Sequence, residues 1–199
     1  MKPLQRSSNL VFRYQGESPE ALLPAGYTSV RLDHASVLEL FGRATKRDWR
    51  ARAYVRLLDE GASGIAAIHG DGRWAAVQWI APPGVTGLTH LPPRITRPFF
   101  WCFNEHTQPE HRRLGLWRAL KSRGLELARQ QSSDDVALYS DTDHSNLASR
   151  RAHEMFGFER LGAIDAVTLR YWPERRLVMG RWNRRAEHPD IVERRPRSL

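Results

Sequence analysis

The stretch Thr107–Leu120, T-Q-P-E-H-R-R-L-G-L-W-R-A-L, constrains the fold of this chain more than any other. Before it, Arg97–Phe103 is aromatic and apolar, as is typical of a buried strand. After it, Leu116, Leu120 and Leu127 recur at helical spacing and predict one apolar helix face. The sequence therefore predicts a buried strand, a tight loop and a helix in succession, which indicates a domain that mixes strands and helices.

The loop between that strand and that helix has the properties of an anion site. A helix N-terminus presents unpaired N–H groups and the positive end of the helix dipole, which suit a phosphate or a pyrophosphate. Arg112 and Arg113 add fixed positive charge beside these amides. Gly115 lets the backbone approach a ligand without an intervening Cβ. We therefore expect a phosphate-binding loop at this position.

Two motifs carry a resemblance to a known family. Arg112–Trp117, preceded by Pro109–His111, resembles the Gln/Arg-x-x-Gly-x-Gly/Ala signature of the GNAT superfamily of N-acetyltransferases. Asn146–Phe158 is similar to the second motif of that family, with Asn first, a small residue three positions later and Gly-Phe at the end. Between the motifs, Val136–Tyr139 is typical of a short buried strand. The close match covers residues 97–163.

The resemblance implies both a fold and a co-substrate. The fold would be α/β (α+β), with a mixed, mostly antiparallel sheet of six to seven strands flanked by about four helices. Acetyl-CoA would be the co-substrate, and the acetyl group would pass to a primary amine of a small molecule or peptide. The loop would hold the pyrophosphate, the backbone of Thr107 would polarise the thioester carbonyl, and Asn146 and Ser149 would contact the pantetheine arm. The residues that would bind the co-substrate are Thr107, Arg112, Arg113, Leu114, Gly115, Leu116, Trp117, Asn146 and Ser149.

The chain departs from the family pattern at two positions. Trp117 stands where Gly or Ala is usual, so its side chain must point away from the pyrophosphate or help to cover it. His153 stands where the family has the Tyr that protonates the leaving sulfur. Imidazole can also donate a proton, so the resemblance makes His153 the candidate acid. The alternative is a partly buried histidine that is hydrogen-bonded to the backbone.

Acetyl transfer to an alkylammonium group also needs a base, because the ammonium nitrogen has no free lone pair. Glu105 lies two residues before Thr107, so the two side chains share one face of a regular strand. We expect Glu105 to be the general base, with a solvated or ion-paired carboxylate as the alternative. His106 would point to the opposite face and ranks lower, and a β-bulge would reverse that order.

The helix of the second motif is expected to bury an apolar stripe and to present a polar stripe beside it. Ser145 or Asp143 is expected to cap the start of this helix. The polar stripe would form one wall of a ligand groove. The apolar stripe consists of Ala148, Ala152, Met155 and Phe156, and the polar stripe of Asn146, Ser149 and His153.

The remainder of the chain predicts one domain over residues 1–182 and a basic, poorly ordered tail over residues 183–199. A Pro- and Gly-containing leader precedes the first predicted strand, and an Asp-Gly turn predicts a hairpin. The Pro- and Gly-rich stretch Ala81–Pro98 is typical of a long functional loop. The predicted early helices are Ala35–Arg43 and Asp48–Leu58, with Asp48 as N-cap, and the other predicted strands are Tyr27–Leu32, Ser63–His69, Arg73–Ile80, Glu159–Ala163, Ala166–Trp172 and Arg175–Trp182.

The composition bears on membrane association, on the redox compartment and on metal binding. No apolar run approaches the roughly 20 residues of a membrane span, and the N-terminus has no apolar signal region, so we expect no membrane association. The single Cys102 is expected to be a buried core residue, and a lone cysteine suits a reducing cytoplasm. Asp141 and Asp143 have no third ligand at a useful spacing, so no metal is expected.

The sequence leaves two further functions open, and the net charge of +9 supports the first of them. Arg and Lys together number 31, and the tail is rich in Arg, so an RNA-associated acyltransferase or a basic RNA binder is the first alternative. A non-catalytic regulatory module that binds CoA is the second, because Trp117 and His153 depart from the family pattern. The expected partner is an amine acceptor, with a homodimer left open. The residues that could line the acceptor site are Trp49, Tyr54, His90 and Arg94.

Overall fold

The computed structural model describes residues 4–17, 19–42, 49–85, 90–92, 99–132, 136–170 and 176–183. A short 3-10 turn at Pro109–His111 lies between the fifth strand and the third helix. The predicted order of elements is confirmed, with one strand added at the start. The elements in chain order are β1 (Leu4–Tyr14), β2 (Tyr27–Leu32), α1 (His34–Phe41), α2 (Trp49–Asp59), β3 (Ser63–His69), β4 (Trp74–Ala81), β5 (Phe100–Thr107), α3 (Leu116–Gln130), β6 (Leu138–Asp143), α4 (Leu147–Phe156), β7 (Glu159–Arg170) and β8 (Arg176–Asn183).

One sheet of eight strands forms the centre of the molecule, in the order β2-β3-β4-β5-β6-β1-β7-β8. Neighbouring strands pair antiparallel, except that β5 and β6 run parallel. This confirms the predicted mixed, mostly antiparallel α/β fold. The count of six to seven strands that the resemblance implies is slightly too low, since the sheet has eight.

The segment interpreted as a leader contains a central strand, so that interpretation is wrong for Leu4–Tyr14. This strand pairs with β6 on one side and with β7 on the other. Only its second half carries a continuous buried run, at Leu10, Val11 and Phe12, whereas its first half is polar and partly exposed. A strand with so short an apolar run has a weak local signal, and it is stabilised here by two neighbours that lie far along the chain.

The last part of the sheet also differs from the prediction. Glu159–Ala163 and Ala166–Trp172 were predicted as separate strands, but Glu159–Arg170 is one continuous strand. A register shift opposite Val11 and Phe12 accommodates the irregularity near Gly162 without ending the strand.

The helices cover the two faces of the sheet, so the domain has three layers. On one face, α1 and α2 bury residues such as Val37 and Tyr54 against Trp79. On the other face, α3 buries a stripe that includes Leu120, and α4 buries Phe156. Alternate residues of each strand therefore serve opposite cores, as the pleat of a strand requires.

Cys102 lies in the core of β5 with no exposed surface, as predicted. Burial raises the pKa of its thiol to about 12, so the thiol stays protonated at neutral pH. No helix among the described residues has the length and apolarity needed to cross a bilayer. The predicted N-cap Asp48, residues 86–89 and 93–98 of the predicted loop, and most of the predicted tail lie outside the described residues.

Candidate functional site

The loop between β5 and α3 forms an open backbone turn at the N-terminus of the helix. Arg113 has a φ of 65° and Gly115 a φ of 80°, and such left-handed residues are typical of anion-binding backbone turns. Gly115 is the N-cap residue of α3, and no side chain caps the helix. A Cβ built on Gly115 meets no atom within 4 Å, so the space beside the turn is open. The first amides of α3 are therefore free of a side-chain cap at the point where a ligand could approach.

The side chains of the loop leave its outer surface charged. Arg112 and Arg113 are both exposed, and Arg112 Nε donates a hydrogen bond to the carbonyl oxygen of Thr107 at 3.2 Å. This bond fixes the loop to the end of β5. Leu114 is exposed, whereas Leu116 is buried in the core beneath α3. Leu116 can therefore contribute to a ligand site only through its backbone.

Trp117 points into the protein and away from the loop, which is one of the two arrangements that its bulk allowed. Its Nε1 donates a hydrogen bond to Glu105 Oε2 at 2.5 Å. Its ring meets the rings of His153 and Phe156 edge-on, at centroid distances of 5.0 and 5.9 Å. The large, partly buried side chain thus packs against the core, and its backbone amide stays at the first turn of α3.

A β-bulge in β5 determines where the predicted base lies. The register of β4 and β5 shifts so that Asn104 and Glu105 together oppose the single residue Gln78, and Asn104 has a φ of 49°. As a result, Glu105 faces α3, whereas His106 faces the opposite layer, with its ring 5.7 Å from that of Trp74. Glu105 and His106 therefore point to opposite sides of the sheet, as predicted, even though Glu105 is part of the bulge.

Glu105 belongs to a buried polar cluster. Lys121 on α3 has no exposed surface, and its Nζ donates to Glu105 Oε1 and, at 3.2 Å, to Ser140 Oγ. Ser140 Oγ in turn lies 2.9 Å from His153 Nε2, and His153 Nδ1 lies 2.7 Å from the carbonyl oxygen of Ser149. We call Glu105, Lys121, Ser140 and His153 the closed cluster. It joins β5, α3, β6 and α4 behind the loop.

The hydrogen bonds of the closed cluster fix its protonation. The carbonyl oxygen of Ser149 can only accept, so His153 Nδ1 carries the proton and Nε2 accepts from the hydroxyl of Ser140. Burial, followed by repulsion from Lys121, lowers the pKa of His153 to about 4. Burial raises the pKa of Glu105, but the attraction to Lys121 and the hydrogen bonds from Lys121 and Trp117, taken together with the other lowering contacts, outweigh burial, so the net pKa is lowered. At neutral pH the cluster therefore holds an ionised Glu105 and a neutral His153.

The second motif forms α4, with a different buried face from the one predicted. Asn146 is the N-cap, and its Oδ1 accepts from the backbone N–H of Ser149 at 3.1 Å, so the prediction of Ser145 or Asp143 as the cap is wrong. Asp143 instead accepts from Ser145 in the turn before the helix. Asn146 lies one residue closer to the helix than Ser145, so its side-chain oxygen can accept directly from an unpaired N–H of the first turn.

The two stripes predicted for α4 are rotated in the structure. Met155 is 83% exposed and Ala148 is exposed, so their predicted burial is wrong, whereas His153 is fully buried and Phe156 is buried. The polar His153 can lie in the core because Ser140 and the Ser149 carbonyl satisfy both of its ring nitrogens. His153 also stacks on the ring of Phe12 at 4.8 Å. The hydrogen bonds of His153 in the core determine which face of α4 is buried, and helical periodicity does not show such bonds.

A polar cavity opens where β5 and β6 separate. The parallel pairing of these strands ends at Cys102 and Ser140, directly before the bulge, and a cavity of about 400 Å³ lies beyond that point. Among the described residues that line it are three carboxylates and one imidazole, and none of these residues is Lys or Arg. A larger concavity of about 650 Å³ is lined by β1, β7 and β8 alone, without a residue of β5 or α3. The lining of the smaller cavity is Gln5, Ser7, Asn9, His90, Phe103, Asn104, Glu105, Asp141, Thr142, Asp143 and Thr168.

Sequence reasoning missed Lys121 and Ser140, which complete the closed cluster. Lys121 had a detectable signal, because it lies four residues after Trp117 and four before Leu125 on the buried face of α3. A lysine on such a face indicates a buried partner of opposite charge. Ser140 had no such signal, because its role depends on the pairing of β5 with β6.

Several solved structures that are similar to this chain are GNAT acetyltransferases. A GNAT-family protein from Novosphingobium aromaticivorans has a TM-score of 0.57 at 20% identity, covering 83% of this chain and 66% of that one. A GCN5-related N-acetyltransferase from Sphaerobacter thermophilus has a TM-score of 0.55 at 15% identity, covering 82% and 51%. An aminoglycoside antibiotic 6'-N-acetyltransferase from Acinetobacter baumannii has a TM-score of 0.50 at 16% identity, covering 67% and 91%. The fold of this chain is the GNAT fold, as the two motifs predicted.

No family model and no curated protein matches the sequence of this chain. The chain spans less than two thirds of the length of the first two structures above, at 66% and 51%. Likeness at such identities establishes the fold alone.

Proposed function

We propose that this protein is an acetyl-CoA-dependent N-acetyltransferase that acetylates a primary amine of a small molecule or peptide. The observation that supports this most strongly is the uncapped N-terminus of α3. This helix end has a left-handed Gly115 as its N-cap, two exposed arginines beside it and open space next to the turn. It follows the loop after β5, the strand that carries the bulge. An anion site in this position on the GNAT fold suits the pyrophosphate of coenzyme A.

In this proposal the co-substrate is held mainly by backbone. The amides from Leu114 to Trp117 would bind the pyrophosphate, and Arg112 and Arg113 would neutralise its charge. Thr107 would contribute its backbone to the thioester carbonyl. Asn146 and Ser149, at the exposed start of α4, would contact the pantetheine arm. Asn146 uses its side-chain oxygen as the helix cap, so its amide NH₂ group is the part that would reach the ligand.

The reaction would break one bond and form one bond at the acyl carbon. The acceptor ammonium loses a proton, and the free amine nitrogen attacks the thioester carbonyl. The C–N bond forms as the C–S bond breaks, and the departing thiolate takes up a proton. The roles of Glu105 as base and His153 as acid stay predictions. In the closed cluster both groups already bind partners, which gives each of them a competing structural role.

The cavity beside the bulge supports an amine as the acceptor. Asp141, Asp143 and Glu105 line it, and Lys121 pairs with Glu105 from the α3 side. None of the described lining residues is Lys or Arg, so the charge of the cavity favours a cation. An ammonium group is such a cation before it loses its proton. The same charge disfavours the phosphate backbone of RNA, so the cavity supports the amine acceptor over the nucleic-acid alternative. Cytoplasmic location and a homodimer stay predictions.

Binding and turnover test this proposal separately. Acetyl-CoA at 100 times its dissociation constant should stabilise the fold by about 2.7 kcal/mol, which a thermal shift detects. With a panel of amines, the protein should release free thiol from acetyl-CoA only when an acceptor is present. A stabilising shift without thiol release for any amine would favour the regulatory module. Absence of the shift would overturn the proposed function.

A further inference from the structure

A second pair of titratable residues lies at the cavity and is used by none of the roles above. His90 Nε2 lies 3.0 and 3.1 Å from the two carboxylate oxygens of Asp141, and Trp101 Nε1 donates to Asp141 Oδ1 at 2.8 Å. The side chain of Asp141 is 5% exposed, whereas that of His90 is 37% exposed. We call His90 and Asp141 the open pair, because a buried carboxylate holds an imidazole that a ligand can reach.

The open pair lies at the position where the strands separate. Asp141 directly follows Ser140, the last residue of β6 that pairs with β5. His90 belongs to the described segment 90–92, and both residues line the cavity that also includes Asn104 and Glu105 of the bulge. The imidazole and the bulge therefore border the same space of about 400 Å³.

The hydrogen bonds of the open pair leave one ring nitrogen of His90, Nδ1, to act as a base. Burial raises the pKa of Asp141, but the interactions with His90 and the hydrogen bond from Trp101 together outweigh it, so the net pKa is lowered and the carboxylate is ionised. An ionised carboxylate can only accept, so His90 Nε2 carries the proton that it donates to Asp141. Nδ1 of the neutral ring then holds a lone pair, and among the described residues it has no hydrogen-bond partner.

The surroundings of the imidazole favour the transfer of a proton to it. Asp141 on β6 would stabilise the imidazolium that results, in the way that a buried carboxylate orients and stabilises a catalytic histidine. Among the described residues of the cavity lining, Asp143 on β6 and Glu105 on β5 are the other charged groups, and those of β1 and β7 are uncharged. Lys121 on α3 pairs with Glu105. Glu105 is a weaker candidate, because Lys121 and Trp117 already occupy both of its oxygens.

We propose that the open pair, with His90 Nδ1 as the acceptor, removes the proton from the amine that enters this cavity. The inference rests on the proposed function. One N–H bond of the ammonium breaks, the proton passes to Nδ1, and the nitrogen lone pair is released for attack on the acyl carbon. The partly exposed ring then returns the proton to water. His90 is thus a catalytic residue, and Asp141 is a positioning residue that acts through it.

The test compares His90→Gln with a matched variant, His34→Gln. Gln retains an N–H donor for Asp141 but cannot take up a proton. His34 forms a similar pair with Asp59, at 2.9 Å, on the exposed surface outside the cavity lining. We expect His90→Gln to lower kcat by about 100-fold or more and to remove the acid-side fall of kcat/KM, with acetyl-CoA binding unchanged. His34→Gln should retain the native kcat and pH profile.

Two further variants separate proton transfer from structural damage. His90→Ala should regain at least about tenfold of its activity when free imidazole is added, because the added base replaces the missing one. Asp141→Asn, which removes the charge that stabilises the imidazolium, should lower kcat at least about tenfold while leaving KM for acetyl-CoA unchanged.

The outcomes distinguish this inference from the proposed function. If the native protein acetylates an amine, and His90→Gln retains its kcat within about twofold and keeps the native pH profile, the open pair is not the base. In that case a loss of the acid limb in Glu105→Gln would identify Glu105 as the base. If the native protein turns over no amine at all, the proposed function is overturned, and the role of the open pair with it.

Discussion

The closed cluster and the open pair contain the same kinds of chemical group in opposite settings. In the closed cluster, the carboxylate of Glu105 and the imidazole of His153 are joined through Lys121 and Ser140, and Lys121 and His153 have no exposed surface. In the open pair, a buried carboxylate supports an imidazole that is more than one third exposed and lines a cavity. The two sets meet where β5 and β6 separate, and Glu105 of the closed cluster lines the cavity together with the open pair.

This difference shows that a pattern of residue types does not by itself distinguish a structural group from a reactive one. A buried acid or base whose every hydrogen-bonding position is occupied holds its charge state and stabilises the fold. An acid-base group with one position free and facing a cavity can exchange a proton with a ligand. We therefore expect changes in the closed cluster to act first on stability, and changes in the open pair to act first on turnover.

The largest effect on stability is expected from Lys121→Met. Met fills a similar volume but removes the cation, so the carboxylate of Glu105 is left buried without its counter-charge. We expect the free energy of unfolding to fall by about 3–5 kcal/mol, as measured by urea denaturation at neutral pH. The double variant with Glu105→Gln should lose less than Lys121→Met alone, because the uncompensated charge is gone.

The control for this prediction lies on the same helix. Arg123 pairs with Glu126 at 3.0 Å, and both side chains are about half exposed. Arg123→Met should therefore change the free energy of unfolding by no more than about 1 kcal/mol. Equal losses in Arg123→Met and Lys121→Met would contradict the structural role of the closed cluster.

A smaller effect is expected from the buried histidine as the pH falls. The pKa of His153 is lowered to about 4, from an ordinary value of about 6.5, so between these values the unfolded chain binds a proton that the folded chain does not. Stability should therefore fall as the pH decreases from about 6.5 to 4, by up to about 3 kcal/mol from this group. Urea denaturation at a series of pH values measures the slope.

His153→Phe keeps an aromatic ring against Phe12 but cannot titrate, so its stability should depend less steeply on pH over this range. Burial also lowers the pKa of the partly buried His106, which contributes a slope of the same sign in both proteins. The lowered pKa values of Glu105 and Asp141 act at lower pH, where stability is lost as each carboxylate takes up a proton. Identical slopes for the native protein and His153→Phe would show that His153 is not buried in its neutral form.

The parts of this molecule that sequence predicts well are those with local signals. The loop and α3 follow from consecutive residues, because Gly115 and the apolar spacing of the helix act within a few positions of each other. The Asp-Gly hairpin is confirmed for the same reason, with Gly72 at a φ of 82°. In contrast, β1 has a short apolar run and depends on β6 and β7, which lie far along the chain.

The candidate site was only partly predictable because its contacts are non-local. Glu105 and His153 were both singled out from their positions, but the residues that join them, Lys121 and Ser140, come from two other elements. His90 lies 51 positions before Asp141, and only the end of the parallel pairing of β5 with β6 brings the pair to the cavity. Periodicity also could not show that His153 lies in the core, because its burial depends on hydrogen bonds from distant residues.

Whether the turn at Gly115 binds the diphosphate of acetyl-CoA is measured most directly by the affinity of Gly115→Asp for acetyl-CoA, compared with that of Gly72→Asp. Both glycines have a φ near +80° and no atom within 4 Å of a Cβ built on them, so the two substitutions place similar strain on the backbone. Aspartate tolerates this conformation, but at position 115 its charge would face the pyrophosphate. We predict that Gly115→Asp weakens binding at least about 100-fold and that Gly72→Asp keeps the native affinity. Native affinity in Gly115→Asp would show that this turn does not hold the diphosphate, and would contradict the account.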